Sequence, residues 1–182
     1  MMGKINEIYG RATAACAGRS RQPTEHCLCV KIGEQKLYHF RGGKCVREYG
    51  VSTSRQPPSC IENSYGTPTG LHAVADKIGA GVPAGMVFKS RRPVGWTWRE
   101  APDVEPRTNF ITTRILRLRG LEPGRNAGPG RDSYDRYIYI HGTSQPEKLG
   151  TPNSHGCVLM SDAEVTELFE AVPEGSVVWI EL

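Results

Sequence analysis

Cys157 stands in the run Ser154-His155-Gly156-Cys157, and His141 lies upstream of it in Tyr139-Ile140-His141-Gly142-Thr143. A thiol beside a glycine, with a histidine that folding can bring close, is the equipment of a cysteine nucleophile and its base. The thiolate is the reactive form, and an imidazole can both generate it and hold it. Acyl transfer also needs donors for a tetrahedral oxyanion. Gly156 leaves space beside the thiol, so the backbone N–H groups around Gly156 and Cys157 are the candidates. Helix-forming sequence begins soon after Cys157, and a helix N-terminus nearby favours a thiolate.

Each residue alone has a blander reading, since a histidine ending a strand is usually structural and a single cysteine usually buried and inert. The combination, in this order and with these glycines, points to catalysis. Histidine precedes cysteine, the reverse of the papain-like order, which argues against that class. A zinc site built from His26, Cys27, Cys29 and His39 is disfavoured, because the spacing is not that of common structural zinc clusters. No metal or cofactor is expected. Cys45 and Cys60 read as core or surface thiols, and His72 as a packed or surface histidine.

The elements that must position the pair follow from periodicity. Ile5, Ile8, Tyr9, Ala12 and Cys16 recur at helical spacing and predict a short N-terminal helix over 3–17. A polar linker follows, so residues 1–25 read as an extension and 26–182 as the catalytic domain. Strands are predicted at 27–32, 36–40, 45–52, 71–78, 85–89 and 111–118, with a tight turn at Gly42-Gly43. Cys27 and Cys29 share one face of the first and read as small buried hydrophobes. Tyr137-Ile138-Tyr139-Ile140 is a dense β-former run that delivers His141 at a strand end.

After Cys157 the pattern changes. Ser161-Asp162-Ala163-Glu164 matches a capping box, and Val165, Leu168, Phe169 and Val172 form the apolar stripe of a helix over 162–172. Pro173 ends it, and 176–180 reads as a last strand. Residues 90–109 carry Arg91, Arg92, Trp96, Trp98, Arg99 and Arg107 without periodicity, and read as a long loop or lid. Those arginines suit either an acidic peptide or a solvated loop anchored by tryptophans. Arg114 and Arg136, on strands leading to the site, are the better carboxylate partners.

Composition bounds the class. At 182 residues the chain can bury one core, and 21 glycines and 13 prolines without a period mean many turns, which leans towards a β architecture. A net charge of +4 is too small to argue for nucleic acid, and no apolar stretch reaches bilayer length. No signal peptide is visible before Gly18, so the expected location is the cytosol, or the periplasm if a leader has been removed. If Cys157 is the nucleophile, five of the six cysteines remain, an odd set that fits a reducing compartment.

The runs His141-Gly142-Thr143 and Ser154-His155-Gly156-Cys157-Val158 resemble the active-site signature of the L,D-transpeptidases (YkuD-type catalytic domain). Val51-Ser52-Thr53-Ser54 and Thr67-Pro68-Thr69-Gly70 are similar to that family's strand and turn before the substrate cleft. The resemblance covers roughly residues 26–182 and implies a mainly β, mixed β-sandwich fold. It implies action on peptidoglycan stem peptides: Cys157 attacks the carbonyl of the third residue, typically diaminopimelate, and expels terminal D-alanine through a thioester. The thioester passes to water, which trims the stem, or to an amine, which cross-links it. A non-catalytic wall-binding module is the rival reading. The resemblance further implies His141 as base, oriented by the carbonyl of Gly142 or Thr143, with Ser154, His155 and Gly156 shaping the site. Arg114, Arg136 and Tyr139 are candidate substrate contacts, and carbapenem-type inhibitors are expected to acylate the thiol. The family often has arginine two positions after the cysteine, where this chain has Leu159.

Overall fold

A computed structural model describes residues 2–101 and 108–182, apart from the side chains of residues 2–4. The chain runs through helix α1 (Met2–Ala17), strands β1 (His26–Lys31), β2 (Lys36–Arg41), β3 (Lys44–Gly50), β4 (Gly70–Ile78), β5 (Met86–Lys89), β6 (Arg92–Thr97), β7 (Ile111–Gly120), β8 (Tyr139–Thr143) and β9 (Val158–Met160), then α2 (Asp162–Ala171) and β10 (Val177–Glu181).

The predicted mixed β architecture is realised as one curled sheet. Its order is β3-β2-β1-β10-β4-β7-β5-β6, with β8 branching from β7 and carrying β9. The segment after β3 closes the curl: Ser52 and Leu159 exchange backbone hydrogen bonds of 3.0 and 2.8 Å. Among the described strands, β1–β10 and β8–β9 are the parallel pairs.

β1 shows why the sheet is covered on both sides. Leu28 and Val30 point to the core that receives α2, where Val165, Leu168, Phe169 and Val172 pack. Cys27 and Cys29 point the other way, against Ile8, Ala12 and Cys16 of α1. Both sets are buried, so the period-2 alternation separates two apolar faces rather than an apolar face from a wet one. A bidentate pair from Arg11 to Glu181 of β10, at 2.7 and 2.8 Å, also holds α1 to the sheet.

Ser161 caps α2 as the sequence predicts, accepting from the Glu164 N–H at 3.3 Å and donating to its carboxylate at 2.7 Å. Two readings need correction. Residues 92–97 form β6, paired with β5, and Trp98–Glu100 form a short 3-10 turn, so this part of the expected loop is regular. The turn between β5 and β6 is made by Ser90 and Arg91, both left-handed, and such a turn without glycine or asparagine carries no sequence signal. Residues 102–107, with Arg107, lie outside the described residues. Tyr137 and Ile138 are not in the strand: Tyr137 has φ +56, and β8 begins at Tyr139.

Candidate active site

His141 is the third residue of β8, opposite Ile115 of β7 on one side and Leu159 of β9 on the other. Its ring is buried, and Nδ1 lies 2.7 Å from the carbonyl oxygen of Gly142. A carbonyl only accepts, so Nδ1 carries the proton and Nε2 keeps its lone pair. Burial pushes the imidazole pKa down to about 4, against the pull of that carbonyl.

Cys157 precedes β9. The parallel register sets Ile140 opposite Val158, which brings Cys157 beside Tyr139. The thiol packs in a small cluster with Phe88, Ile115 and Tyr139 and lies 3.5 Å from the Tyr137 carbonyl, to which it can donate. Burial raises its pKa to about 11, while a Tyr139 backbone hydrogen bond and the Arg136 charge oppose the rise. Thiol and imidazole are thus both neutral near pH 7. That is the starting state of general-base catalysis, in which the proton leaves sulfur as the sulfur attacks.

The two side chains open on one cavity of about 220 Å³, with Asn109, Ile111, Ser154, His155 and Leu159 as its other walls. A second cavity of about 290 Å³ shares His155 and is lined by Glu62, Tyr65, Arg136 and Tyr137 among others. His155 is exposed and meets the Tyr65 ring edge-on at 5.9 Å.

The loop before Cys157 is braced by Ser154. Its hydroxyl donates to the Cys157 carbonyl at 2.6 Å and accepts from the Gly156 N–H at 3.1 Å. The Gly156 N–H, one of the expected oxyanion donors, is thus engaged by Ser154. Gly156 acts by shape: at φ +124, an added Cβ would sit 3.2 Å from Ile138 Cδ1 and 3.4 Å from the Gly66 carbonyl. Thr143 is buried, its hydroxyl donating to Asn109 at 2.6 Å and accepting from the Gln145 N–H at 3.1 Å.

The profile of the YkuD family, the L,D-transpeptidase catalytic domain, matches residues 25–180. The chain belongs to this family. Among solved structures it is similar to an L,D-transpeptidase from Mycobacterium tuberculosis H37Rv, with TM-score 0.54 and 16% identity over 87% of this chain and 58% of that one. A Mycobacterium smegmatis L,D-transpeptidase gives 0.53 and 16% over 87% and 59%. An LD transpeptidase solved in complex with imipenem gives 0.52 and 17% over 86% and 59%. The chain thus spans about three fifths of the length of these relatives, and at identities this low the likeness shows the fold alone. None of the curated proteins matches the chain.

Within this YkuD domain the predicted arginines separate. Arg136 reaches the second cavity but is spent on structure, donating to the Ser59 carbonyl (3.0 Å), the Gly66 carbonyl (2.8 Å) and the Ser64 hydroxyl (3.4 Å). Arg114 is not brought to the thiol. It donates to the carbonyls of Val82 and Thr113 and lies 5.6 Å over the Phe169 ring of α2, because a bulge in β7 between Thr112 and Ile115 turns it to the helix side. Tyr139 does stand beside the thiol, edge-on to His141 at 6.3 Å.

Sequence reading saw Asp162 only as part of a cap. Its carboxylate accepts from Trp98 Nε1 at 2.9 Å, Arg99 at 3.4 Å, Thr112 at 2.8 Å and the Thr113 hydroxyl. It therefore joins the β6 turn, the bulge of β7 and α2 just behind Gly142. The only sequence signal was an acidic residue in a first helical turn, which the helix dipole explains equally well.

Proposed function

We propose that this protein is a cysteine acyl transferase acting on peptidoglycan stem peptides, with water as the usual acceptor. The observation that carries the reading is the meeting of Cys157 and His141 in one cavity, with Gly142 fixing the tautomer that leaves Nε2 free. Nε2 takes the thiol proton as sulfur attacks the carbonyl of the third stem residue. The tetrahedral adduct collapses, His141 returns the proton to the departing amine, and terminal D-alanine leaves. Water, deprotonated by the same nitrogen, then attacks the thioester, and the thiol recovers its proton.

The choice of water is supported by the thiol set. All six cysteines are unbridged, and Cys16, Cys27 and Cys29 are buried in one cluster, which suits a reducing compartment. The cytosol holds soluble, recycled stems and few strands to cross-link. Among the described residues no helix is long and apolar enough to cross a membrane.

The test is mass spectrometry of a purified disaccharide-tetrapeptide after incubation with the protein. Tripeptide stem with released D-alanine is the expected product, and Cys157→Ala should abolish it while the fold survives. Dimeric muropeptide as the main product would identify an amine acceptor and a cross-linking enzyme. Imipenem, found in complex with the similar transpeptidase above, should add once per chain and not to Cys157→Ala. Absence of both turnover and adduct would sink the reading and favour a wall-binding module.

A further inference from the structure

The cavity at Cys157 is short of positive charge where a stem peptide brings carboxylates. Leu159, buried on β9, presents only methyl groups to it. Arg136 is held by three acceptors and Arg114 faces α2, as described above. Arg117 donates to the Tyr134 carbonyl at 2.7 Å and lies 3.8 Å from Asp76. One further arginine, in the turn of the β5–β6 hairpin, touches two tyrosines that border the site.

Arg91 lies in the hairpin turn. Its guanidinium sits 5.0 Å over the Tyr137 ring and donates to the Tyr139 hydroxyl at 3.4 Å. Tyr137 offers its carbonyl to the thiol, and Tyr139 packs on Cys157 and His141. Arg91 is therefore one side chain removed from both reacting groups. Among the described residues its side chain has no carboxylate partner, and one long bond to a phenol leaves most of its donors unspent. The backbone supports the same reading. Ser90 and Arg91 hold φ +49 and +67, a conformation that disfavours side chains and is more often filled by glycine or asparagine. Strain of this kind concentrates where a side chain must be placed.

We propose that Arg91 binds a substrate carboxylate next to the scissile bond, so that the enzyme selects acidic stems over amidated ones. The inference rests on the acyl-transfer reading above and adds a residue that determines specificity. Two carboxylates of the stem lie within a residue of the attacked carbonyl: the C-terminus of the departing residue and the side-chain acid of the third residue. Both suit a guanidinium fork.

The test uses three synthetic tetrapeptide stems: the free acid, its C-terminal amide and its side-chain amide. kcat/KM is measured for each with wild type, Arg91→Gln and Arg91→Lys. Wild type should prefer the free acid over one of the amides by about ten- to a hundredfold, the worth of a charge-assisted hydrogen bond, and the penalised amide identifies the carboxylate. Arg91→Gln should process the free acid and that amide at nearly equal rates, while Arg91→Lys restores part of the preference. A structural role would slow all three stems alike and leave the ratios unchanged, which overturns the proposal. Equal rates on all three stems in wild type would overturn it too. Absence of turnover on every stem would instead sink the acyl-transfer reading, and this inference with it.

Discussion

Replacing Gly142 by alanine tests whether the tie between β7 and β8 sets the position of His141. An alanine Cβ at this position would sit 2.5 Å from Thr112 Oγ1, 2.8 Å from the Thr112 carbonyl oxygen and 3.1 Å from Asp162 Oδ1. Ordinary carbon contacts begin near ~3.5 Å, so β8 must retreat from β7 by roughly 0.5–1 Å, since the carbonyl belongs to a paired strand and cannot rotate away. Overpacking of this kind costs about 1–3 kcal/mol. The same movement displaces the carbonyl that holds Nδ1 of His141, and a misplacement near 1 Å costs on the order of 100-fold in rate. The assay is the rate of imipenem acylation followed by intact mass, beside urea unfolding of the same protein. Gly142→Ala should unfold earlier and acylate about 100-fold more slowly. Adding Thr112→Ala removes the nearest atom but leaves the carbonyl, so it should rescue the rate only in part. Wild-type stability and rate in Gly142→Ala would refute the reasoning, and full rescue by Thr112→Ala would place the constraint on the side chain alone.

With the Cys157 thiol near 11 and His141 near 4, alkylation of Cys157 by iodoacetamide should climb about tenfold per unit between about pH 7 and 10; a plateau across that range would reveal a preformed thiolate–imidazolium pair. His72 is buried, with Nδ1 3.0 Å from the Gly70 carbonyl and Nε2 3.0 Å from the Ser133 hydroxyl, and burial lowers its pKa from 6.5 to about 4. The unfolded chain therefore binds the extra proton, and the stability this histidine contributes, complete above 6.5, is lost as pH falls toward 4, by roughly 3 kcal/mol in all. Burial depresses His39 and His141 to about 4 as well, so His72→Gln should make that part of the pH–stability curve shallower in urea unfolding, whereas a curve parallel to wild type would exclude a contribution from His72. Asp162→Ala strands two threonine hydroxyls and a tryptophan N–H behind Gly142 and should cost about 2–3 kcal/mol in urea unfolding; a loss below 0.5 kcal/mol, the size of an ordinary surface change, would show that the network is ornamental.

The sequence by itself determined most of the elements and singled out Cys157 and His141. Alternation in β1, the stripe along α2 and the Ser161 cap are local signals, set by the period of the backbone and by the side chain at each helix end, and they survive in the fold. The signature around His141 and Cys157 is likewise legible, because its glycines and hydroxyls act on residues a few positions away. Tertiary structure decided what depends on approach across strands. It turned Arg114 toward α2 through a bulge, spent the Gly156 N–H on Ser154, and made Asp162 a hub for four donors. It also carried Arg91 to Tyr137 and Tyr139 through a turn that contains neither glycine nor asparagine. Bulges, occupied N–H groups and left-handed arginines leave no periodicity to read, since their energies come from neighbours distant in the chain and become visible only once the sheet has curled.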